Sequence, residues 1–445
     1  MAGAADLARV EKELLARWPE SRIEWKLERM TALMELLGDP QLAYPSIHIA
    51  GTNGKTSTAR IIDALLRALN LRTGCYTSPH LESITERILL DGEPISDEVF
   101  VATYDELTPY FELVDARFPT RLSFFEAVTG MAFAAFAAAP VDVAVVEVGM
   151  GGRLDATNII HAPVAVITPI DLDHQAHLGS TIAAIAGEKA GIIKSDQTVV
   201  VAAQHDAAAQ VLRRRAEEVG ARLVTEGVDF AVTERKPAVG GQLVTIRGVR
   251  GEYPELFLPL HGAHQAGNAA VSLAAVETFL SPEHALDIDL LRDAFAGVRS
   301  PGRLEIVRTK PTVLVDASHN PAGARVTAAT LASEFAFERL IGVIGTLADK
   351  DVPGILTAFA PVLSEVIVTR SSSHRAIDPV DLATQAEAVF GPEKVTLVPR
   401  LDEALQVALR RAAEADAGGL GSGVGVLVTG SVVTAGEARR LLRQR

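Results

Sequence analysis

Residues 47–57, reading Ile-His-Ile-Ala-Gly-Thr-Asn-Gly-Lys-Thr-Ser, constrain this chain more than any other stretch. A short apolar run enters a glycine turn and leaves it as the helical pattern Ile61 to Leu69. A strand that passes through a turn straight into a helix is the opening half of a strand–helix–strand unit. The turn residues also make an anion cradle. Glycines let backbone N–H groups converge on oxyanions, Lys55 adds a mobile positive charge, a hydroxyl can reach a magnesium ion, and the helix N-terminus adds its dipole. The strict P-loop spacing would place a first glycine at position 49, where Ile49 stands, so this loop is a shorter one.

From Ser46 to about Ser195 apolar strands alternate with helices, among them Asp142 to Val148 and Val164 to Thr168. Continuous Val and Ile runs followed by charged loops describe a parallel sheet covered on both faces, with ligands at the carboxyl ends of its strands. The phosphate loop, Glu147 with its glycine turn, and Asp171 to His174 all fall at such ends. Residues 196–260 are more mixed and predict a small peripheral sheet, with strands at Val199 to Ala202 and Gln242 to Ile246. The Gly/Pro signal from Ala296 to Gly302 marks a domain boundary. The expected organisation is therefore α/β throughout: an N-terminal P-loop ATPase-type parallel-sheet domain over 1–298, carrying the 196–260 insertion, and a C-terminal Rossmann-like α/β domain over 299–445. Strands at Thr312 to Val315, Leu340 to Ile344, Val366 to Val368 and Val424 to Val428 build the second domain, and the Ala/Gly-rich segment from Ala412 to Gly425 reads as a helix end and a loop.

At 445 residues the chain exceeds one ordinary core, and 48% hydrophobic against 22% charged residues indicates well-buried domains. One cysteine, Cys75, excludes an internal disulfide framework and fits a reducing compartment. Neither a secretory signal nor a membrane-length apolar run is visible, so a cytoplasmic protein without membrane association is expected. A net charge of −14 argues against nucleic-acid binding. Arg213 to Arg215, and Arg439, Arg440, Arg443 and Arg445, read as solvated helix faces.

Other motifs follow in order. They are Thr77-Ser78-Pro79-His80-Leu81, Val145 to Asn158 with Gly149-Met150-Gly151-Gly152-Arg153-Leu154-Asp155 at its centre, Asp173-His174-Gln175, Glu188-Lys189-Ala190-Gly191, His264-Gln265 with Asn268, Gly302-Arg303-Leu304-Glu305, and Asp316-Ala317-Ser318-His319-Asn320-Pro321. With the Gly-Thr-Asn-Gly-Lys loop they resemble the Mur ligase superfamily, and within it the folylpolyglutamate and dihydrofolate synthases, over nearly the whole chain. Arg22-Ile23-Glu24 and Leu27 to Leu37 resemble that branch's lead-in helix.

The resemblance implies an ATP-dependent ligase that adds L-glutamate to dihydropteroate and to reduced folates. The acceptor carboxylate would attack the γ-phosphate, and glutamate's amine would displace phosphate from the acyl phosphate. Gly51, Thr52, Asn53, Gly54, Lys55, Thr56 and Ser57 would form the cradle. The family usually has glycine where Thr56 stands, so either Thr56 or Ser57 supplies the hydroxyl nearer a metal. Two magnesium ions are implied, with room for a monovalent cation: Ser78 and Glu147 would hold the first, His174 and Lys189 the second, Lys189 as a carbamate. The apolar neighbours of Lys189 would lower its pKa and leave a neutral amine able to take up carbon dioxide. Ser78, Pro79, His80, Ser123, Phe124, Phe125, Arg153 and Asp155 are implied on the folate side, and His264, Gln265, Asn268, Arg303, Asp316 and His319 on the nucleotide. Here Ala317-Ser318 replaces the family's Gly-Ala before the histidine. A monomer is expected.

Each motif has a plainer reading. Asn53-Gly54 alone is a turn dipeptide, Ser78 a turn residue, His174 structural, Lys189 solvated, Gly149 to Gly152 a tight turn, and Asn320-Pro321 a helix start. Two rival functions also remain. A cell-wall ligase building peptide on a UDP-sugar would carry a domain of about 100 residues before the loop, where 50 residues stand here. A regulatory P-loop protein would leave Glu147, His174 and Lys189 without a task. A ligase of the same branch acting only as a folylpolyglutamate synthase fits every motif.

Overall fold

The computed structural model describes residues 3–18, 24–415 and 423–443. Arg22, Ile23, Arg445 and residues 416–422 of the Ala/Gly-rich segment lie outside them. The chain divides into two compact units, one of residues 1–236, 243–258 and 265–298, the other of 237–242, 259–264 and 299–445.

The first unit contains, in chain order, α1 (Ala4–Leu15), α2 (Glu28–Leu36), β1 (Ser46–Ala50), α3 (Lys55–Ala68), β2 (Thr73–Tyr76), β3 (Ile88–Leu90), β4 (Glu93–Pro94), α4 (Asp97–Arg117), α5 (Phe124–Ala138), β5 (Val143–Glu147), β6 (Val164–Ile167), α6 (Gln175–Leu178), α7 (Ile182–Lys189), β7 (Thr198–Val201), α8 (Asp206–Val219) and β8 (Arg222–Thr225). The strands β9 (Ala231–Ala238), β10 (Gly241–Arg247) and β11 (Glu252–Leu258) come next, then α9 (Ala263–Leu280) and α10 (Ile288–Ala296). Among the described residues the main sheet runs β4-β3-β2-β5-β1-β6-β7-β8. Its central strands pair in parallel, as the Val/Ile runs predict, while β3 and β4 form a short antiparallel edge.

The 196–260 segment is not one peripheral insertion. β7 and β8 extend the main sheet beyond β6, and only β9 to β11 form a separate three-stranded sheet. Local pattern shows that a run is a strand; which neighbour it pairs with is a tertiary matter.

β1 lies between β5 and β6, and every residue in it is buried. On one face, Ala144 and Val146 of β5 belong to the apolar cluster that includes α4 and α5, while Ala165 and Ile167 of β6 and Val199 and Val201 of β7 pack with α7 and α8. The β1 residue in register with Val146 and Ala165 is His48, a polar group in an apolar row.

The second unit is built from β12 (Glu305–Thr309), β13 (Thr312–Val315), α11 (Pro321–Glu334), β14 (Arg339–Ile344), α12 (Val352–Phe359), β15 (Glu365–Arg370), α13 (Pro379–Phe390), β16 (Val395–Arg400), α14 (Leu401–Ala415), β17 (Val424–Thr429) and α15 (Val432–Arg443). Its sheet order is β12-β13-β17-β14-β15-β16, parallel except for β12. Arg439 is not solvated: its guanidinium is buried and donates to both oxygens of Glu305 at 3.0 and 2.9 Å, so it ties α15 to β12. Arg213 and Arg214 are exposed, as expected. No helix among the described residues is long and apolar enough to cross a membrane.

Candidate active site

The cradle takes its shape from two glycines. Gly51 has φ +153°, and a Cβ there would lie 1.8 Å from Thr168 Oγ1, so no side chain fits. Gly54 caps α3 in the left-handed region at φ +88°, where a Cβ would meet Asn268 Oδ1 at 2.6 Å. Between them the Thr52 and Asn53 N–H groups donate to Pro169 O at 3.0 and 3.3 Å, and the Thr52 hydroxyl donates to Asp171 O at 3.0 Å. The loop is thus fixed onto the segment that follows β6. Lys55 Nζ donates back to Thr52 O at 3.2 Å. Since α3 opens with no side-chain cap, the N–H groups of its first turn are those that an anion would use.

Glu147 ends β5, is 1% exposed, and aims its carboxylate at this turn. Thr56 Oγ1 lies 3.0 Å from both carboxylate oxygens, and Ser78 N–H donates to Oε2 at 3.2 Å. Helix rotation sends the two adjacent hydroxyls to different neighbours. Thr56 faces Glu147, while Ser57 is buried with Gln265 Nε2 at 3.4 Å. Ser78 precedes Pro79 across a cis peptide bond.

Lys189, the last residue of α7, is 4% exposed and donates from Nζ to Gly51 O at 2.6 Å. Burial, and then the charge of Lys55, pull its pKa down to about 7, against the opposing pull of Asp173 and Asp155. His174 sits in the left-handed region at φ 50°, half-buried, with Nε2 3.9 Å from Asp173 Oδ2. No three His, Cys, Asp or Glu side chains among the described residues converge on one point.

Asp155 is engaged within its own turn. It accepts from Met150 N at 2.9 Å, Thr157 N at 3.0 Å and Thr157 Oγ1 at 2.6 Å, and burial raises its pKa. Arg153 is exposed and pairs with Glu188 at 2.8 Å. Ser123 caps α5 by accepting from Glu126 N at 3.2 Å. Phe124 is buried beneath the Arg87 guanidinium, 4.9 Å from the ring centre. Phe125 packs on Gly149, where a Cβ would lie 2.4 Å from the ring. Pro79 is exposed. His80 accepts from Arg87 Nε at 2.9 Å, and burial with that neighbouring charge lowers its pKa to about 3. A cleft of about 490 Å³ opens beside this turn, lined by Trp25, Leu27, Glu28, Thr31, Glu35 and Leu154. Trp25, 3.5 Å from where a Gly151 Cβ would lie, escapes sequence reasoning, which finds only phenylalanines for an aromatic partner.

Gln265 and Asn268 are buried on α9 and bonded to each other at 3.0 Å, with Asn268 against Gly54. His264 is half-buried beside Gly262. In the second unit, Asp316 accepts from Leu304 N, Ser318 N and Thr327 Oγ1 at 2.9, 3.0 and 3.0 Å, so it organises the turn after β13. Ser318, where the family has alanine, bonds Thr327 at 2.9 Å. His319 Nδ1 lies 3.0 Å from Ala317 O, Arg303 is half-buried, and Asn320-Pro321 begins α11.

Two family profiles match the chain, the Mur ligase middle domain over residues 49–276 and the Mur ligase glutamate ligase domain over 302–432. A dihydrofolate synthase/folylpolyglutamate synthase of Mycobacterium tuberculosis is 52% identical, over 98% of this chain and 94% of the relative. This chain belongs to the Mur ligase family, in its folylpolyglutamate and dihydrofolate synthase branch. It is an ATP-dependent ligase. The M. tuberculosis folylpolyglutamate synthase complexed with ADP superposes with a TM-score of 0.95 at 52% identity, covering 98% of each chain. The Escherichia coli FolC structure in complex with DHPP and ADP gives 0.86 at 30% identity, covering 99% of each. The Mur ligase sheet arrangement, with the loop after β1, is therefore the scaffold on which the geometry above is set.

Proposed function

We propose that this ligase joins L-glutamate to dihydropteroate and to reduced folates, with ATP converting the acceptor carboxylate to an acyl phosphate. The observation that carries the reading is Glu147, a buried carboxylate held against Thr56 in the first turn of the phosphate-loop helix. A carboxylate is a poor electrophile, being anionic and delocalised, and its oxide is a poor leaving group; phosphorylation cures both faults, and the protein's task is then positioning and charge neutralisation. The α3 N–H groups and Lys55 receive the phosphates. The cleft at Trp25 and Leu154, beside the Asp155 turn, receives the pterin and benzoyl rings, and Ser78, Pro79, His80, Ser123, Phe124, Phe125 and Arg153 stay in this reading as folate-side residues.

Magnesium fits the donor set at Glu147, where a carboxylate and a hydroxyl are both hard oxygen ligands and the remaining positions are left to phosphate and water. When bound it would withdraw charge from the phosphate oxygens. For the second ion the support is Lys189: a buried amine whose pKa is pulled down to about 7 has a substantial neutral fraction at neutral pH, and that form can add carbon dioxide, lose a proton and become an anionic carbamate. Gln265, Asn268, His264, Arg303, Asp316 and His319 stay in this reading as nucleotide contacts.

Mass spectrometry of products tests the proposal. Purified protein is expected to make dihydrofolate from dihydropteroate and to extend tetrahydrofolate, consuming ATP only when acceptor and glutamate are both present. Lys55→Ala is expected to lower both products by at least about 100-fold together, because one loop serves both reactions. Activity on one acceptor alone would reject the dual role, and ATP turnover without acceptor would reject the mechanism.

A further inference from the structure

Residues 149–160 grip the end of α7 on both sides of Lys189. Arg153 N–H donates to Glu188 O at 2.9 Å, and the Asn158 carboxamide donates from Nδ2 to Arg153 O at 3.0 Å and to Gly191 O at 3.1 Å. A helix end leaves its last carbonyls without partners inside the helix, so these donors take the place of another turn. The approach leaves no room for side chains. A Cβ on Gly152 would lie 2.8 Å from Glu188 O and 3.1 Å from Lys189 Cα, and one on Gly191 would lie 2.3 Å from Arg153 Cβ.

The other side of the same segment is fastened to β1. Thr157 Oγ1, in the 3-10 turn Ala156–Ile159, bonds His48 Nε2 at 2.9 Å, and Lys194 Nζ donates to Asn158 O at 2.8 Å. From His48 the strand runs to Ala50, and Gly51 follows; the Gly51 carbonyl accepts from Lys189 Nζ at 2.6 Å. The contacts close a ring: β1, the 3-10 turn, the end of α7, the Lys189 amine and back to the end of β1. Arg153 N–H reaches Glu188 of α7 directly, and Asn158 ties Arg153 to Gly191, two residues past Lys189. Asn158 Oδ1 is buried without a partner, the cost of turning Nδ2 toward both carbonyls.

We propose that Asn158 is a positioning residue that sets the Lys189 amine against the phosphate loop. This rests on the reading that Lys189 takes part in catalysis. With its carboxamide removed, the chain just past Lys189 loses its tie to Arg153, the end of α7 is held on one side only, and the amine leaves Gly51 O.

Steady-state kinetics of Asn158→Ala, Lys189→Ala and the double variant, with crystal structures of wild type and Asn158→Ala, decide the matter. Asn158→Ala is expected to lose 10–100-fold in kcat, the range for partners that orient a functional group, with KM for ATP and for glutamate within twofold of wild type. In the Lys189→Ala background the same change is expected to cost less than a further twofold, because both act through one amine. In the Asn158→Ala crystal the amine is expected beyond hydrogen-bond distance of Gly51 O. Independent losses that multiply, wild-type kcat, or an amine still seated on Gly51 would each overturn the proposal. Full activity of Lys189→Ala would instead remove the catalytic reading, and the crystal would still decide whether Asn158 positions the amine. Should Asn158→Ala fail to fold, Asn158→Ser is read by the same distance and the same kinetics.

Discussion

Two buried cations in the first unit are treated in opposite ways. Arg29 lies against Glu126, with Nε 3.0 Å from one carboxylate oxygen and Nη2 3.2 Å from the other, and Nη1 on the Thr120 hydroxyl at 2.6 Å. Lys189 is as deeply buried, yet its amine faces a backbone carbonyl. A guanidinium matched by a carboxylate stays charged and fastens α2 to α5. An ammonium given only a neutral acceptor pays desolvation without an ion pair, so its neutral form becomes accessible. The first arrangement holds a charge in place, and the second makes a neutral amine accessible.

If that contrast is right, the two residues separate stability from activity. Arg29→Ala leaves Glu126 buried and unmatched, and is expected to cost about 3–5 kcal/mol in urea unfolding. A loss under about 1 kcal/mol would show that the pair does not hold the helices. Lys189→Ala is expected to leave stability unchanged or raise it while lowering kcat about 100-fold, with partial return of rate in a small carboxylic acid such as acetate. Normal rates after the substitution would end the comparison.

His48 sharpens it at a third buried site. Burial, and then the charge of Lys194, lower its pKa from 6.5 to about 3. The unfolded chain binds a proton below about 6.5 and the folded one resists it. The stability from a neutral His48 is therefore complete above pH 6.5, erodes as pH falls, and is gone below about 3. Unfolding free energies from pH 7 to 4 are expected to fall more steeply for wild type than for His48→Gln, by up to about 1.4 kcal/mol per pH unit. Parallel curves would place the proton elsewhere. The smallest effect is expected at Arg153, whose pair with Glu188 is exposed: Arg153→Ala is expected to change stability by less than about 1 kcal/mol.

Much of this was legible in the residues. A strand, glycine turn and helix have a local signature, and a carboxylate closing an apolar strand, as Glu147 does, declares that something must satisfy it. Other features depend on what lies across space. The resemblance puts Asp155 on the folate side and Asp316 on the nucleotide, and only the fold shows that their oxygens also accept from N–H and hydroxyl groups and so shape their own turns. Thr56 and Ser57 are chemically alike, and only the rotation of one residue along α3 sends one to Glu147 and the other to Gln265. Arg439 looks solvated in an arginine-rich tail because Glu305 stands far away in the chain. The pairing of β7 with β6, and of β8 with β7, was hidden for the same reason.

The position of β1 has a bearing on how the protein is made. Its partners are β5 and β6, so Ile47 pairs with Val145 on one side and Val164 on the other. Neither exists when the ribosome has finished the phosphate loop, and non-local parallel pairing is slow because the intervening chain must first be closed. Until about residue 147 has emerged this apolar strand has neither of its eventual neighbours, and until about residue 167 it has only one. The nascent chain therefore carries a sticky, unpaired ribbon through the first third of its synthesis, and that interval is when it most needs protection from aggregation.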